Sequence, residues 1–165
     1  MQRLTAKLAI LLLLVPCLSL AKEMPRADKV LVDKSDKRLY LIKEGRPFRQ
    51  YRIVLGKNPS GHKRKVGDER TPEGRYTLDW RNPESNFYKS IHISYPDERD
   101  LAAARARGED PGGMIMIHGL PNNFKWGEQA LDGWDWTDGC IAVRNHEMDE
   151  IWLAVEDGTP IEIIP

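Results

Sequence analysis

Short apolar runs cut by polar turns set the rhythm of this chain, and most of them alternate. Val30-Leu31-Val32 gives way to the polar Asp33-Lys34-Ser35-Asp36 and then to Leu39-Tyr40-Leu41-Ile42, the pattern of two strands joined by a turn. Glu44-Gly45 marks the next turn, and Phe48 to Leu55 predicts a third strand that completes a meander. Arg75 to Trp80 alternates after the turn Thr71-Pro72-Glu73-Gly74. Ser90 to Tyr95 alternates up to Pro96, with His92 on the face opposite Ile91 and Ile93. Met114 to Ile117 is wholly apolar, as a central strand is, and ends at His118-Gly119. Ile141 to Val143 and Pro160 to Ile164 supply the last two strands.

Helical spacing occurs twice. Asp97 to Gly108 has acidic residues first, alanines in the middle, arginines late and glycine after, which predicts a helix on the surface. Met148, Ile151, Trp152 and Val155 put a core face on a second helix, with Asn145 as its cap and Asp157-Gly158 as its stop. Eight strands and two short helices make the fold mainly β, a single sandwich or barrel of mixed strands. At 165 residues, with no internal repeat, the chain suits one core.

Three stretches break the pattern. Residues 1–21 read as a secretory signal, with Arg3 and Lys7 before the apolar Leu8 to Val15 and the small-x-small Ser19-Leu20-Ala21 as a cleavage site. That apolar run is too short for a stable membrane span. A polar lead-in at 22–28 follows, and a single domain covers 29–165. Gly56 to Gly74 is rich in glycine, proline and charge and predicts a long loop of the kind that often serves function. Its His62-Lys63-Arg64-Lys65 cluster reads as a solvated tip, with an anion site as the sharper alternative. Residues 120–136 carry Phe124, Trp126, Trp134 and Trp136, for which packing is the default and a substrate wall the exception.

Charge narrows the function classes. Basic and acidic side chains stand at 25 each, so no global field points to nucleic acid. Cleavage near Ala21 removes Arg3 and Lys7 and leaves 23 basic against 25 acidic groups. It also removes Cys17, which reads as a hydrophobe of the signal. Cys140 is then without an intrachain partner, and no disulfide framework exists.

Cys140 lies beside Gly139 at the head of an apolar run, and His118 lies beside Gly119 at the end of another. A thiolate is the attacking form of cysteine, and a neighbouring imidazole carries its proton. Two strand ends joined by the intervening loop bring such a pair together, and amides around Gly139, Cys140 and Ile141 are available to a developing oxyanion.

The stretch from His118 through Thr137, Gly139, Cys140 and Ile141 to Asn145 resembles the signature of the YkuD-type L,D-transpeptidase family (ErfK/YbiS-like). Thr71-Pro72-Glu73-Gly74 is similar to the family's upstream proline–glycine element, and the likeness covers roughly residues 28–164. The resemblance implies a YkuD-like β fold, a periplasmic location and an acyl transfer on peptidoglycan stem peptides, part of cell-wall construction. In that chemistry Cys140 is the nucleophile, His118 the base, and the Gly139 and Cys140 amides the oxyanion donors. The acceptor is an amine of another stem or of a wall-linked protein lysine. No metal or organic cofactor is implied. Two positions depart from the pattern: the family's histidine two before the cysteine is Asp138, and its arginine two after is Ala142. Arg144, on the same facing as Ala142 by strand alternation, is the candidate substitute. Asp138 either orients His118 or shapes the turn. Thr137, Gly119, Asn145 and His92 complete the candidate site. Such departures also mark YafK-like members of the superfamily, some of which hydrolyse rather than join.

The rivals are a hydrolase on the same site (an L,D-carboxypeptidase, endopeptidase or amidase) and an inactive wall-binding module. A sortase places its histidine much further upstream, and an NlpC-type peptidase has cysteine before histidine. Zinc held by His92, His118 and Cys140 lacks the paired short spacing of ligand motifs.

Overall fold

The structure is a computed structural model, and it describes residues 24–123 and 133–165. The signal segment, Phe124 and Trp126 lie outside the described residues.

The eight strands are β1 (Lys29–Asp33), β2 (Arg38–Lys43), β3 (Arg46–Arg52), β4 (Gly74–Ser85), β5 (Tyr88–Ile93), β6 (Met116–His118), β7 (Ile141–Ala142) and β8 (Thr159–Ile164). The helices are α1 (Glu98–Arg107), between β5 and β6, and α2 (Asn145–Ala154), between β7 and β8. All eight strands form one mixed sheet in the order β3-β2-β1-β8-β4-β5-β6-β7. The predicted mainly β class, strand count and helices agree with this.

The expected meander is β1–β2–β3, antiparallel throughout. Its third strand ends at Arg52, three residues short of the apolar run's end, because the chain then crosses to the far edge of the sheet. There Val54 N–H donates to Ala142 O and Ala142 N–H to Val54 O, both at 2.9 Å. Gly56 bridges Thr137 one step on. These contacts curl the sheet back toward itself, and its concave side holds Leu39, Leu41, Leu78, Ile91, Ile93, Ile117 and Ile141 with no exposure. Met148 and Ile151 of α2 are equally buried against it. The last strand, β8, lies mid-sheet, parallel to β1 and antiparallel to β4.

α1 sits on the surface as its composition predicts, with only Ala104 buried. Asp97 caps it by accepting from the amides of Arg99 and Asp100 at 2.8 and 3.0 Å, and Gly108 ends it in the left-handed region at φ 66°. α2 differs from expectation. Asn145 does not cap it; the N-cap is Arg144, whose amide donates to Glu147 Oε2 at 2.9 Å, while Asn145 Oδ1 accepts from Leu120 N–H at 2.8 Å.

The 56–74 loop is present, but its basic cluster is not a solvated tip throughout. Lys63 is 3% exposed and its Nζ sits 2.9 Å from Asp68 Oδ1. Burial pushes the Asp68 carboxyl up. Amides of Arg64, Lys65 and Arg70 together with the Lys63 ammonium pull it further down, to about 2. Lys34, just past β1, is buried too, and donates to Gly61 O at 2.8 Å, Thr71 O at 3.1 Å and Glu73 Oε1 at 2.7 Å. His62 accepts from the Glu73 amide at Nδ1 (3.0 Å), so Nε2 carries the hydrogen toward Asp100 Oδ1 at 3.0 Å. Lys34 thus staples the loop to the sheet and His62 staples it to α1, while Lys63 braces the loop from within.

Lys34→Ala removes one partner of a buried pair and strands two carbonyls and a carboxylate. It is expected to cost ~3 kcal/mol in chemical denaturation. A change within error of zero would show that the loop is held elsewhere.

Candidate active site

Cys140 and His118 line one cavity because β6 and β7 run parallel, with Ile117 opposite Ile141 and His118 opposite Ala142. Ile117 and Ile141 turn into the core, strand alternation leaves Met116 and His118 on the other side, and Cys140, just before β7, joins them. There they line one cavity of about 560 Å³, together with Ser90, Phe87, Trp80, Met114, Trp136, Thr137, Asp138 and Lys57. This volume lies within the roughly 300–1,000 Å³ usual for small-ligand sites.

The turn before Cys140 is built by Thr137. Its Oγ1 donates to Cys140 O at 2.7 Å and accepts from Gly139 N–H at 3.2 Å. Gly139 has φ 131°, and a Cβ there would stand 2.7 Å from Arg70 O and 3.2 Å from Ile115 Cδ1. Only glycine fits both the conformation and the space. Arg70 belongs to the stapled loop, so the loop backbone forms the floor under the cysteine turn. Thr137 is tied again by its amide to Leu55 O at 3.2 Å and by its carbonyl from Lys57 N–H at 3.0 Å. Asp135 joins this strap, accepting from Leu55 N–H at 3.0 Å and from Lys37 Nζ at 2.8 Å.

His118 is 4% exposed, between the rings of Phe87 (4.5 Å between centroids) and Trp136 (6.0 Å). Its Nδ1 lies 2.6 Å from Gly119 O. A carbonyl only accepts, so Nδ1 carries the hydrogen and Nε2 is the basic nitrogen. Burial pushes the imidazole down to about 4, against the opposing pull of the Gly119 carbonyl. Gly119 itself has no room for a side chain: a Cβ would meet Asn145 Oδ1 at 2.6 Å and Tyr88 Cβ at 2.9 Å.

The Cys140 thiol is partly exposed, with Sγ 3.7 Å from Met114 O. Burial raises it above its ordinary value and the Asp138 charge adds to that, while a backbone hydrogen bond at Met116 and the Lys63 charge act the other way. The lowered imidazole and the raised thiol both favour the neutral form, a thiol and an imidazole on one cavity wall.

The remaining candidates are placed as follows. The Asp138 side chain is 84% exposed and its Oδ1 accepts from Lys57 Nζ at 2.7 Å, so it faces Lys57 and the backbone carbonyl of Gly119 orients His118. Asp138, followed by Glu69, holds the Lys57 ammonium above its ordinary value. Ala142 is fully buried with Val54 and Leu120, and Trp136 packs on that cluster. The strand ends at Ala142, so alternation does not extend to Arg144, which pairs with Glu147 at 3.4 Å and lies off the cavity wall. His92 also lies off the wall, with Nδ1 2.7 Å from Asp79 Oδ1. Sequence reasoning did not single out Lys57, Asp135 or the aromatic sleeve of Phe87. A charged residue between two tryptophans was the one available signal, at Asp135.

Gly139→Ala is expected to destabilise the fold by ~2 kcal/mol in denaturant melts, since it combines a left-handed backbone with a clash. A neutral effect would mean the Arg70 strand of the loop moves freely. The histidine gives a pH test. An unfolded imidazole takes up a proton near pH 6.5, whereas the folded ring refuses one until about 4. The unfolded state therefore binds more protons in that window, and stability falls as pH drops through it, by ~3 kcal/mol at most. Wild type should lose that much more stability than His118→Gln between pH 7 and pH 4. Parallel pH–stability curves would contradict the neutral, buried ring.

Comparison with known proteins places this geometry. The chain is 30% identical over 176 aligned positions to YafK of Escherichia coli (strain K12), whose designation as an L,D-transpeptidase is itself provisional; the match covers 90% of this chain and 63% of YafK. Among solved structures it is similar to the helical cell shape determining protein Pgp2 of Campylobacter jejuni, at 29% identity and TM-score 0.62, over 82% of this chain and 46% of Pgp2. An L,D-transpeptidase from Xylanimonas cellulosilytica shares the fold, at 15% identity and TM-score 0.53, over 85% of this chain and 61% of that one. The chain thus spans under two thirds of the length of each of these relatives. The model of the YkuD L,D-transpeptidase catalytic domain matches residues 27–163, nearly all of the described sheet and both of its strand ends at the cavity, and the chain belongs to that family.

Proposed function

We propose that the chain is an exported cysteine L,D-transpeptidase that acts on peptidoglycan stem peptides in the periplasm through a thioester on Cys140. The observation that carries this reading is the parallel β6–β7 pairing, which sets the His118 ring and the Cys140 thiol on the wall of one cavity. Nδ1 of the ring is committed to Gly119 O, which leaves Nε2 to accept a proton.

The neutral pair sets the order of events. His118 Nε2 takes the Sγ proton as the sulfur attacks the carbonyl of the third stem residue, so charge separates only as the new S–C bond forms. The oxyanion falls to the Cys140 amide, because Gly139 N–H already donates to Thr137 Oγ1. As the tetrahedral species collapses, the C–N bond to the terminal D-alanine breaks and the imidazolium returns its proton to the departing amine. An amine of a second stem, or of a wall-linked protein lysine, then attacks the thioester while Nε2 takes its proton. The C–S bond breaks and the thiol is reformed. Met114, 64% exposed at the cavity mouth, gives the incoming chain an apolar edge.

Purified protein incubated with disaccharide tetrapeptide is expected to show a mass increase on Cys140 equal to the acyl tripeptide, and then crosslinked dimers. Cys140→Ala abolishes both, and His118→Gln lowers acylation by about 10²-fold or more. Tripeptide or cleaved crosslinks without dimers would make water the acceptor and the protein a hydrolase. No adduct at all would sink the catalytic reading and leave a wall-binding module.

A further inference from the structure

The edge of the catalytic cavity carries a device that none of these steps uses. The β4–β5 ladder pairs Leu78 with Ile93 and Arg81 with Ile91. Asp79 and Trp80 therefore both oppose His92, which is a bulge, and bulges re-aim side chains. Both of these residues engage the histidine. Asp79 Oδ1 lies 2.7 Å from His92 Nδ1, and the Trp80 ring stacks on the imidazole with centroids 4.8 Å apart and planes at 15°.

The His92 side chain is 13% exposed, whereas Trp80 is 38% exposed and lines the cavity. One face of the indole is thus backed by a ring that is itself pinned, and the tryptophan still borders open space. Farther along the same strand, Asn82 lines the cavity. Its Oδ1 accepts from Glu84 N–H at 3.0 Å, which leaves Nδ2 to donate outward. Asn86, at the turn after β4, adds a second carboxamide. A rigid apolar plate with a negative π face, bordered by carboxamides, matches a pyranose ring. Such a ring turns polarised C–H bonds to an aromatic face and sends hydroxyl and acetamido groups out from its edge. An extended peptide would lay N–H and C=O groups on the same plate without partners.

We propose that Trp80 is a stacking platform for a sugar ring, so that the protein binds a stem peptide still joined to its N-acetylated disaccharide. This rests on the reading of the cavity as a stem-peptide site. Trp80 touches no reacting atom and acts on substrate choice.

The test has two arms. In the first, full-length protein with ¹⁵N-labelled tryptophan is titrated with N-acetylglucosaminyl-N-acetylmuramic acid carrying no peptide. The indole resonance assigned to Trp80 by its loss in Trp80→Phe is expected to move and saturate. In the second, the kcat/KM for Cys140 acylation is compared between disaccharide tetrapeptide and free tetrapeptide. Wild type should prefer the disaccharide form by roughly tenfold, Trp80→Ala should bring that ratio close to one, and Trp80→Phe should keep most of it. The proposal is overturned if the disaccharide leaves the Trp80 resonance unmoved. It is also overturned if Trp80→Ala slows both peptides by the same factor, since the plate would then serve the peptide, its amine or the fold. If neither peptide acylates Cys140, the transferase reading falls while the titration still decides the sugar platform: a saturating shift supports it and no shift refutes it.

Discussion

Two hydrogen bonds between Val54 and Ala142 carry more of this structure than their number suggests. They join the chain leaving one edge of the sheet to the strand at the opposite edge. Every placement around Cys140 follows from that closure. Residues 55–57 run beside 135–137, the stapled loop swings under Gly139, and the thiol emerges against the Met114 carbonyl. Ala142 has to be small here, because Val54, Leu120 and Trp136 fill the space beside it. An arginine at that position would put a charge into an apolar cluster, which is costly without a partner. The departure from the family pattern at Ala142 is thus matched by its surroundings.

The electrostatics of the site follow from burial more than from charge pairs. Phe87 and Trp136 dry the His118 ring, and Nδ1 is tied to a backbone carbonyl. The Asp138 charge, which raises the thiol, is largely in solvent and shares Lys57, so it adjusts Cys140 without gripping His118. A neutral thiol is poorly reactive toward stray electrophiles, since the thiolate is the attacking form of cysteine.

Much of the fold was legible because alternation is a direct readout of one buried face. The strands at 29–33 and 38–43, the surface helix and the mid-chain loop stand where the pattern puts them, while β5 at 88–93 begins and ends two residues before the predicted 90–95. His118 and Cys140 stand out in the sequence because each ends or begins an apolar run next to glycine, and both line one cavity. Legibility failed where a polar side chain is enlisted from far away. Asn145 has a cap's chemistry, but Leu120 N–H, 25 residues upstream, reaches it first. Lys63 reads as surface from its basic neighbours, yet Asp68 curls the loop so that its ammonium points inward. The bulge at Asp79 and Trp80 is invisible in a strand that alternates cleanly, since only the partner's register reveals that His92 faces both. Arg144 follows the same lesson: alternation is meaningful only as far as the strand lasts, and β7 is two residues long.

The position of β8 has a bearing on time as well as shape. Residues 159–164 form the plank between β1 and β4, so until they arrive the meander of residues 29–52 meets the rest of the sheet only through the bridges at Val54 and Gly56 just beyond it. A growing chain can fold its first hairpins early, but the full sheet assembles only after residues 159–164 are made. Long-range pairing of this kind makes assembly slow and late. Closure of the sheet thus waits on residues 159–164, a timing that resides in the strand order.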